Sequence, residues 1–229
     1  MPIVDVQGVD KVYQQGDIEV HALKDIHLSI APGSFAAIAG PSGSGKTTLL
    51  NMIGGLDFPD RGDVIVDGRH FSEMNQSQMA QLRLNRIGFV FQAYNLIPVL
   101  SAVENVEYVM LLQGVEKAVR RGRAMAMLDE VGLKEKYNSR PAELSGGQQQ
   151  RVAVARAIVS NPAIVLADEP TANLDSKTGE GLLKIMAEMN KKRNVTFIFS
   201  THDKMVMDYA HRLVLLRDGM IDDDQFKSV

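Results

Sequence analysis

Apolar and polar residues alternate along the first thirty positions, through Val4-Asp5-Val6, then Val9 to Tyr13, then Val20 to Ile30 by way of Ala22, Leu23, Ile26, Leu28 and Ile30. A period of two with turns at Gln15-Gly16-Asp17 and Pro32-Gly33 predicts an antiparallel sheet. The pattern then changes to short, wholly apolar runs: Phe35 to Ala39, Ile87 to Phe91, Ala163 to Ala167 and Val195 to Phe199. Such runs predict strands buried on both faces, as in a parallel sheet. Val64-Ile65-Val66, with the Asp67-Gly68 turn, is expected to return to the antiparallel sheet, and Leu213 to Leu216, with the Asp218-Gly219 turn, to close the other.

Three- and four-residue spacing marks the helices. One starts at Gly45 and stops at Gly54-Gly55, and another, polar one runs from Asn75 to Arg86. Ala102 to Gln113, Lys117 to Val131 and Gln148 to Ser160 follow in succession, and a last helix covers about Ser176 to Lys192. The expected architecture is therefore α/β, with a largely parallel core, an antiparallel β sub-domain at the amino-terminal side and an inserted helical sub-domain. Residues 1–229 read as one domain: core and antiparallel part at 1–92 and 162–229, helical part at about 93–161. No internal repeat or low-complexity stretch interrupts it.

Composition narrows the function without naming it. The 229 residues carry a net charge of −3 with 45% hydrophobic residues, which opposes an all-over basic nucleic-acid binder. The triplet Arg120, Arg121 and Arg123 reads as a solvated helix face, and Met110, Met125, Met127, Met186 and Met189 as core packing. The chain has no cysteine, so thiolate metal sites and disulfides are excluded. Met1-Pro2-Ile3-Val4-Asp5 lacks a signal-peptide pattern, and no apolar run approaches the ~20 residues of a membrane span, so a soluble protein is expected.

The chemistry begins at Gly40-Pro41-Ser42-Gly43-Ser44-Gly45-Lys46-Thr47-Thr48, which matches G-x-x-x-x-G-K-[ST] between a strand and a helix. Glycines let the backbone curl with its N–H groups inward, and a helix amino terminus faces the same point, so a polyphosphate is the expected ligand. Lys46 is placed on the β- and γ-phosphates, Thr47 on Mg²⁺ and Thr48 on phosphate. Ligands of open α/β sheets bind beyond the carboxyl ends of strands, and Gln92, Asp168 and His202 each follow an apolar run. Asp168 reads as the Mg²⁺-side carboxylate, acting through water, and adjacent Glu169 as the group that accepts the proton of the attacking water.

Leu144-Ser145-Gly146-Gly147-Gln148 puts a second glycine-rich turn before a helix, and so a second anion site. A nucleotide has one γ-phosphate, so this turn either caps it from the opposite face or binds something else. Together with Gly40 to Thr48, Gln92, Leu166 to Glu169, Asn173-Leu174-Asp175 and His202, it resembles the nucleotide-binding subunit of an ABC transporter across nearly the whole chain.

That resemblance implies a P-loop NTPase (RecA-like) core that binds ATP and Mg²⁺, and a head-to-tail homodimer in which the signature of one copy closes over the ATP of the other. It also implies that Gln92 senses Mg²⁺ and the attacking water while coupling to a membrane partner, that Asp175 bridges the dimer, that His202 contacts the γ-phosphate and that Tyr13 stacks on adenine. Gly54 to Asp57, Ile87 to Gln92 with Asn95 to Pro98, and Ala167 to Thr171 with Asn173-Leu174-Asp175 resemble the branch serving lipoprotein release, macrolide export and FtsX-like permeases. Ala172 and Val109 depart from that branch, where glycine and proline are more usual. The function implied is an ATPase motor driving a separate integral membrane permease, held peripherally on the cytoplasmic face of the membrane, with no nucleic-acid partner. The rivals are a soluble ABC ATPase acting on DNA or ribosomes, which this single uninterrupted domain disfavours, and a P-loop kinase, which leaves the signature and His202 without a role.

Overall fold

The computed structural model describes residues 1–16 and 18–227. Strand β1 (Val4–Gln15) pairs antiparallel with β2 (Ile18–Ile30), so the two alternating stretches before Tyr13 form one strand. Gly8, at φ +58°, marks the register shift between Val6 and Val9 that interrupts the alternation. A β-bulge of this kind offsets the pleat by one residue and lets both stretches keep their apolar side inward. Of the expected turn at Gln15 to Asp17, Asp17 lies outside the described residues.

β3 (Phe35–Ala39) leads into α1 (Lys46–Ile53), and β4 (Arg61–Val66) and the short β5 (Arg69–His70) complete a four-stranded sheet of order β2-β1-β4-β5. Helix α2 (Gln76–Arg86) starts at a reciprocal cap between Asn75 and Gln78 and feeds β6 (Ile87–Val90) directly. Helices α3 (Ala102–Leu112), α4 (Lys117–Glu130) and α5 (Gly146–Ile158) then pack on one another before the chain returns through β7 (Ile164–Asp168). α6 (Ser176–Arg193), β8 (Thr196–Thr201), α7 (Lys204–Tyr209) and β9 (Arg212–Arg217) follow, and β10 (Met220–Phe226) ends the six-stranded sheet of order β10-β9-β3-β8-β7-β6.

β10 is the strand that the pattern did not announce. Its Asp222-Asp223-Asp224 run has low strand propensity. It pairs antiparallel with β9, and Arg212 secures it with a fork to Asp224, at 2.6 and 2.9 Å, and by stacking on Phe226. The remaining pairs of this sheet are parallel, and β3 and β8 are buried throughout.

The continuous apolar runs have a direct cause. Successive strand residues point to opposite faces, so Phe35, Ala37, Phe197, Phe199, Val165 and Ala167 enter a core shared with α3 to α6. Ala36, Ile38, Ile198, Ile164 and Leu166 enter a second core, beneath α1, α2 and the four-stranded sheet. Met110, Met127, Met186 and Met189 are buried and Met125 packs against the first core. Buried Asn105 pins the segment between β6 and α3: its amide donates to the carbonyls of Ile97, Leu100 and Ser101 and its oxygen accepts the Ile97 N–H. Four satisfied bonds offset the cost of burying that amide.

Candidate functional site

In register, β3 ends at Ala39 beside Thr201 of β8, and Asp168 of β7 lies beside Ser200. The carboxyl ends of three parallel strands therefore present their next residues to one place. A cavity of about 590 Å³ opens there, lined by Tyr13, Pro41, Ser42, Gly43, Gly45, Lys46, Thr47, Thr48, Gln92, Glu169 and His202, together with Val20, His21 and Ala22.

The phosphate loop owes its shape to close approaches. A Cβ at Gly40 would stand 2.1 Å from the Leu216 carbonyl oxygen, and one at Gly45, which also has φ +101°, 2.5 Å from that of Ala22. No other residue fits either position. Lys46 is nearly buried and curls over the loop, its ammonium donating to the carbonyls of Gly40 and Pro41 at 2.9 Å each. Ser44 lies behind the loop, and its buried hydroxyl has no hydrogen-bond partner among the described residues. Because α1 begins at Lys46, its first-turn N–H groups have no carbonyl one turn back and face the cavity mouth.

Two pairs of side chains flank this cradle. The Thr47 hydroxyl lies 3.2 and 3.4 Å from the two carboxylate oxygens of Asp168, an all-oxygen donor set of the hard kind that suits Mg²⁺. Glu169 sits at φ +45°, its N–H bonded to the Ser200 carbonyl. Its side chain, 13% exposed, meets Nδ1 of His202 at 2.7 Å and accepts from the Thr201 hydroxyl at 3.2 Å. Gln92 projects from the end of β6, exposed, while its backbone carbonyl accepts from Asn173 at 3.0 Å.

Ser145, Gly146, Gly147, Gln148 and Asp175 lie outside the wall of this cavity. Ser145 caps α5 by exchanging bonds with Gln148, at 3.3 and 3.0 Å. Asp175 caps α6 through the N–H and hydroxyl of Thr178, at 3.0 and 2.6 Å. The two turns do meet each other, since a Cβ at Gly147 would stand 2.3 Å from the Thr178 methyl. Within one chain the amino termini of α5 and α6 thus lie side by side and apart from that of α1, with Ser145 and Asp175 exposed and Gly147 buried between them.

Val20, His21 and Ala22 were not among the residues singled out from the sequence. They reach the cavity because Tyr13 pairs with Val20 and Val12 with His21 across the hairpin. Gln15 faces Ile18 in the same ladder, and counting outward from that rung was the signal available.

Comparison with known proteins gives a single answer. A family model described as ABC transporter matches residues 23–172. The macrolide export ATP-binding/permease protein MacB of Syntrophobacter fumaroxidans is 46% identical over 224 residues, covering 97% of this chain and 31% of that protein. The MacB of Sodalis glossinidius is likewise 46% identical, with 34% of its length covered, so the chain spans about a third of these relatives. An uncharacterized ABC transporter ATP-binding protein of Methanocaldococcus jannaschii, MJ0796, is 42% identical over 97% of both chains. A solved dimeric structure of a post-hydrolysis state of the MJ0796 cassette, bound to ADP and Pi, superposes with a TM-score of 0.91, at 41% identity over 99% of each chain.

Proposed function

Since the chain belongs to the ABC transporter family, we propose that it is an ATP-hydrolysing motor that dimerises around two ATP to drive a membrane permease. The observation that carries the reading is the convergence on one cavity of the phosphate loop, the Thr47–Asp168 pair and the Glu169–His202 pair. The triphosphate lies along the loop, with its charge offset by Lys46, the loop N–H groups and the amino terminus of α1. The base extends toward Tyr13, Val20 and His21 at the other end.

Glu169 orients the water that attacks the γ-phosphate in line and accepts its proton, while His202 holds that carboxylate from the exposed side and contacts the γ-phosphate. Thr47, Asp168 through water and Gln92 would hold a Mg²⁺ ion, which would offset the negative charge of the phosphates. The α5 terminus at Ser145 to Gln148 closes the site from a second copy, and Asp175 bridges the pair. Its placement away from the chain's own cavity supports this arrangement. So does the dimeric state in which the MJ0796 cassette was solved.

The permease is of the macrolide-export and lipoprotein-release type, FtsX-like. A groove of about 330 Å³ between the parallel sheet and the helices, with Leu56, Phe89, Phe91, Val109 and Arg156 in its walls, offers a partner helix an apolar seat. No helix of the described residues is long and apolar enough to cross a membrane. In this reading the permease holds the chain peripherally on the cytoplasmic face. The test is a tagged pull-down from detergent-solubilised membranes with the wild-type chain and Glu169→Gln. An integral membrane permease is expected; soluble partners or nucleic acid alone, with both proteins, would overturn the reading.

A further inference from the structure

The base-facing end of the cavity rests on contacts that the phosphate loop and the catalytic pair do not explain. Tyr13 is 39% exposed where it lines the cavity, yet its phenol donates to Oδ2 of Asp57, 44 residues later, at 2.5 Å. Oδ1 of the same carboxylate accepts from the Lys11 ammonium at 3.1 Å and from the Phe58 N–H at 2.7 Å. That ammonium also donates to the Phe58 carbonyl at 2.8 Å and stands 5.1 Å from the centroid of the Tyr13 ring. Asp60 joins the same two segments again by accepting the Val12 N–H at 2.7 Å.

Tyr13 is therefore held at its hydroxyl and against a cation. An exposed tyrosine with neither restraint turns over a broad range about its last torsion, and stacking a base on it costs that freedom. A ring already held gives up less on binding. The origin of Asp57 is equally defined: the N–H groups of Leu56 and Asp57 bond to the Asn51 carbonyl in the last turn of α1. One helix thus opens on the phosphate loop at Lys46 and closes by placing Asp57 at the opposite end of the cavity.

Resting on the reading that the base of ATP stacks on Tyr13, we infer that Asp57 is a positioning residue for the nucleobase: with Lys11 it holds the Tyr13 ring in its stacking orientation. Asp57 is not part of the cavity wall, so it acts through Tyr13 and leaves the phosphate cradle untouched. Base recognition depends on it, and phosphate binding does not.

The test is steady-state ATPase kinetics on the full chain, with inorganic tripolyphosphate as a competitive probe of the cradle alone. Asp57→Ala is expected to raise KM for ATP roughly 3- to 10-fold, with kcat within about twofold and tripolyphosphate inhibition unchanged. Asp57→Asn, which keeps one acceptor oxygen, falls between. Tyr13→Ala raises KM at least as far, and the double variant Tyr13→Ala with Asp57→Ala goes no further than Tyr13→Ala alone. Tyr13→Phe removes only the hydroxyl and reproduces Asp57→Ala with the carboxylate in place, so poor folding of the aspartate variant still leaves a decisive measurement. A raised KM in Tyr13→Ala with wild-type values in Asp57→Ala and Tyr13→Phe would overturn the inference and leave the ATP site standing. Equal losses of ATP and tripolyphosphate affinity in Asp57→Ala would overturn it as well, by showing a general loosening. A wild-type KM in Tyr13→Ala would place the base elsewhere, and the underlying reading of that end of the site would fall with the inference.

Discussion

His202 and Glu169 meet at 2.7 Å between the ends of adjacent parallel strands, the imidazole 71% exposed and the carboxylate 13%. The carboxylate also accepts from the Thr201 hydroxyl, and the backbone N–H of Glu169 donates to the Ser200 carbonyl. Its freedom is spent before any nucleotide arrives, which is what a group that must orient one water requires.

Glu169→Gln keeps the size and the possible bonds to Thr201 and His202 but cannot accept a proton. Turnover is expected to fall on the order of 10²- to 10⁴-fold while ATP binding is retained, as read by single-turnover hydrolysis against equilibrium nucleotide binding. Near-normal turnover would remove Glu169 from the role.

Thr47→Val preserves the branched shape at the start of α1 and deletes the hydroxyl 3.2 Å from Asp168. The Mg²⁺ concentration for half-maximal ATPase activity is expected to rise at least about tenfold, a loss that even outer partners of metal ligands can bring. An unchanged Mg²⁺ titration would take Thr47 out of the metal site.

Gly147→Ala drives a methyl to 2.3 Å from the Thr178 methyl, between the two capped turns. Thermal or urea unfolding is expected to show a loss of about 1–3 kcal/mol, the usual cost of overpacking. Adding Thr178→Ser, which removes the opposing methyl and keeps the hydroxyl on Asp175, is expected to recover most of it. Additive losses in the double variant would contradict the contact.

Asp63 provides a pH test away from the nucleotide cavity. Burial opposes its ionisation, but bonds from His70, at 2.7 Å, and from the Ser72 and Val64 N–H groups outweigh it and hold the carboxyl below the ordinary aspartate value. A lowered native pKa means that the unfolded chain binds the proton more readily. The stabilisation is thus complete above the unfolded value of about 3.9 and is lost as pH falls through the lower native one. Asp63→Asn is expected to unfold more easily at neutral pH and to lose less stability than wild type on acidification below about pH 4. Parallel stability curves for the two proteins would remove Asp63 as a source of acid sensitivity.

Much of this could be read from local pattern. Gly40 to Thr48 carries its own geometry, since glycines, lysine and hydroxyl within nine positions specify a loop entering a helix. Apolar runs that end in Asp168, Gln92 and Thr201-His202 place those residues at strand ends, because a strand buried on both faces must be continuously apolar. β10 escaped because its three aspartates mask a strand stabilised by Arg212, whose side chain comes from the neighbouring strand.

The residues alone thus determined the parallel core, the phosphate loop and the chemical types at the strand ends that meet at the cavity, all of which follow from spacings of a few positions. Only the tertiary structure decided that the Ser145 to Gln148 turn stands apart from its own chain's cavity, that Val20 and His21 line it, and that Asp57 holds Tyr13. Those relations join segments tens of residues apart. They depend on strand register and on where α1 ends in space, and no periodicity along the chain encodes the distance between two elements that pack side by side.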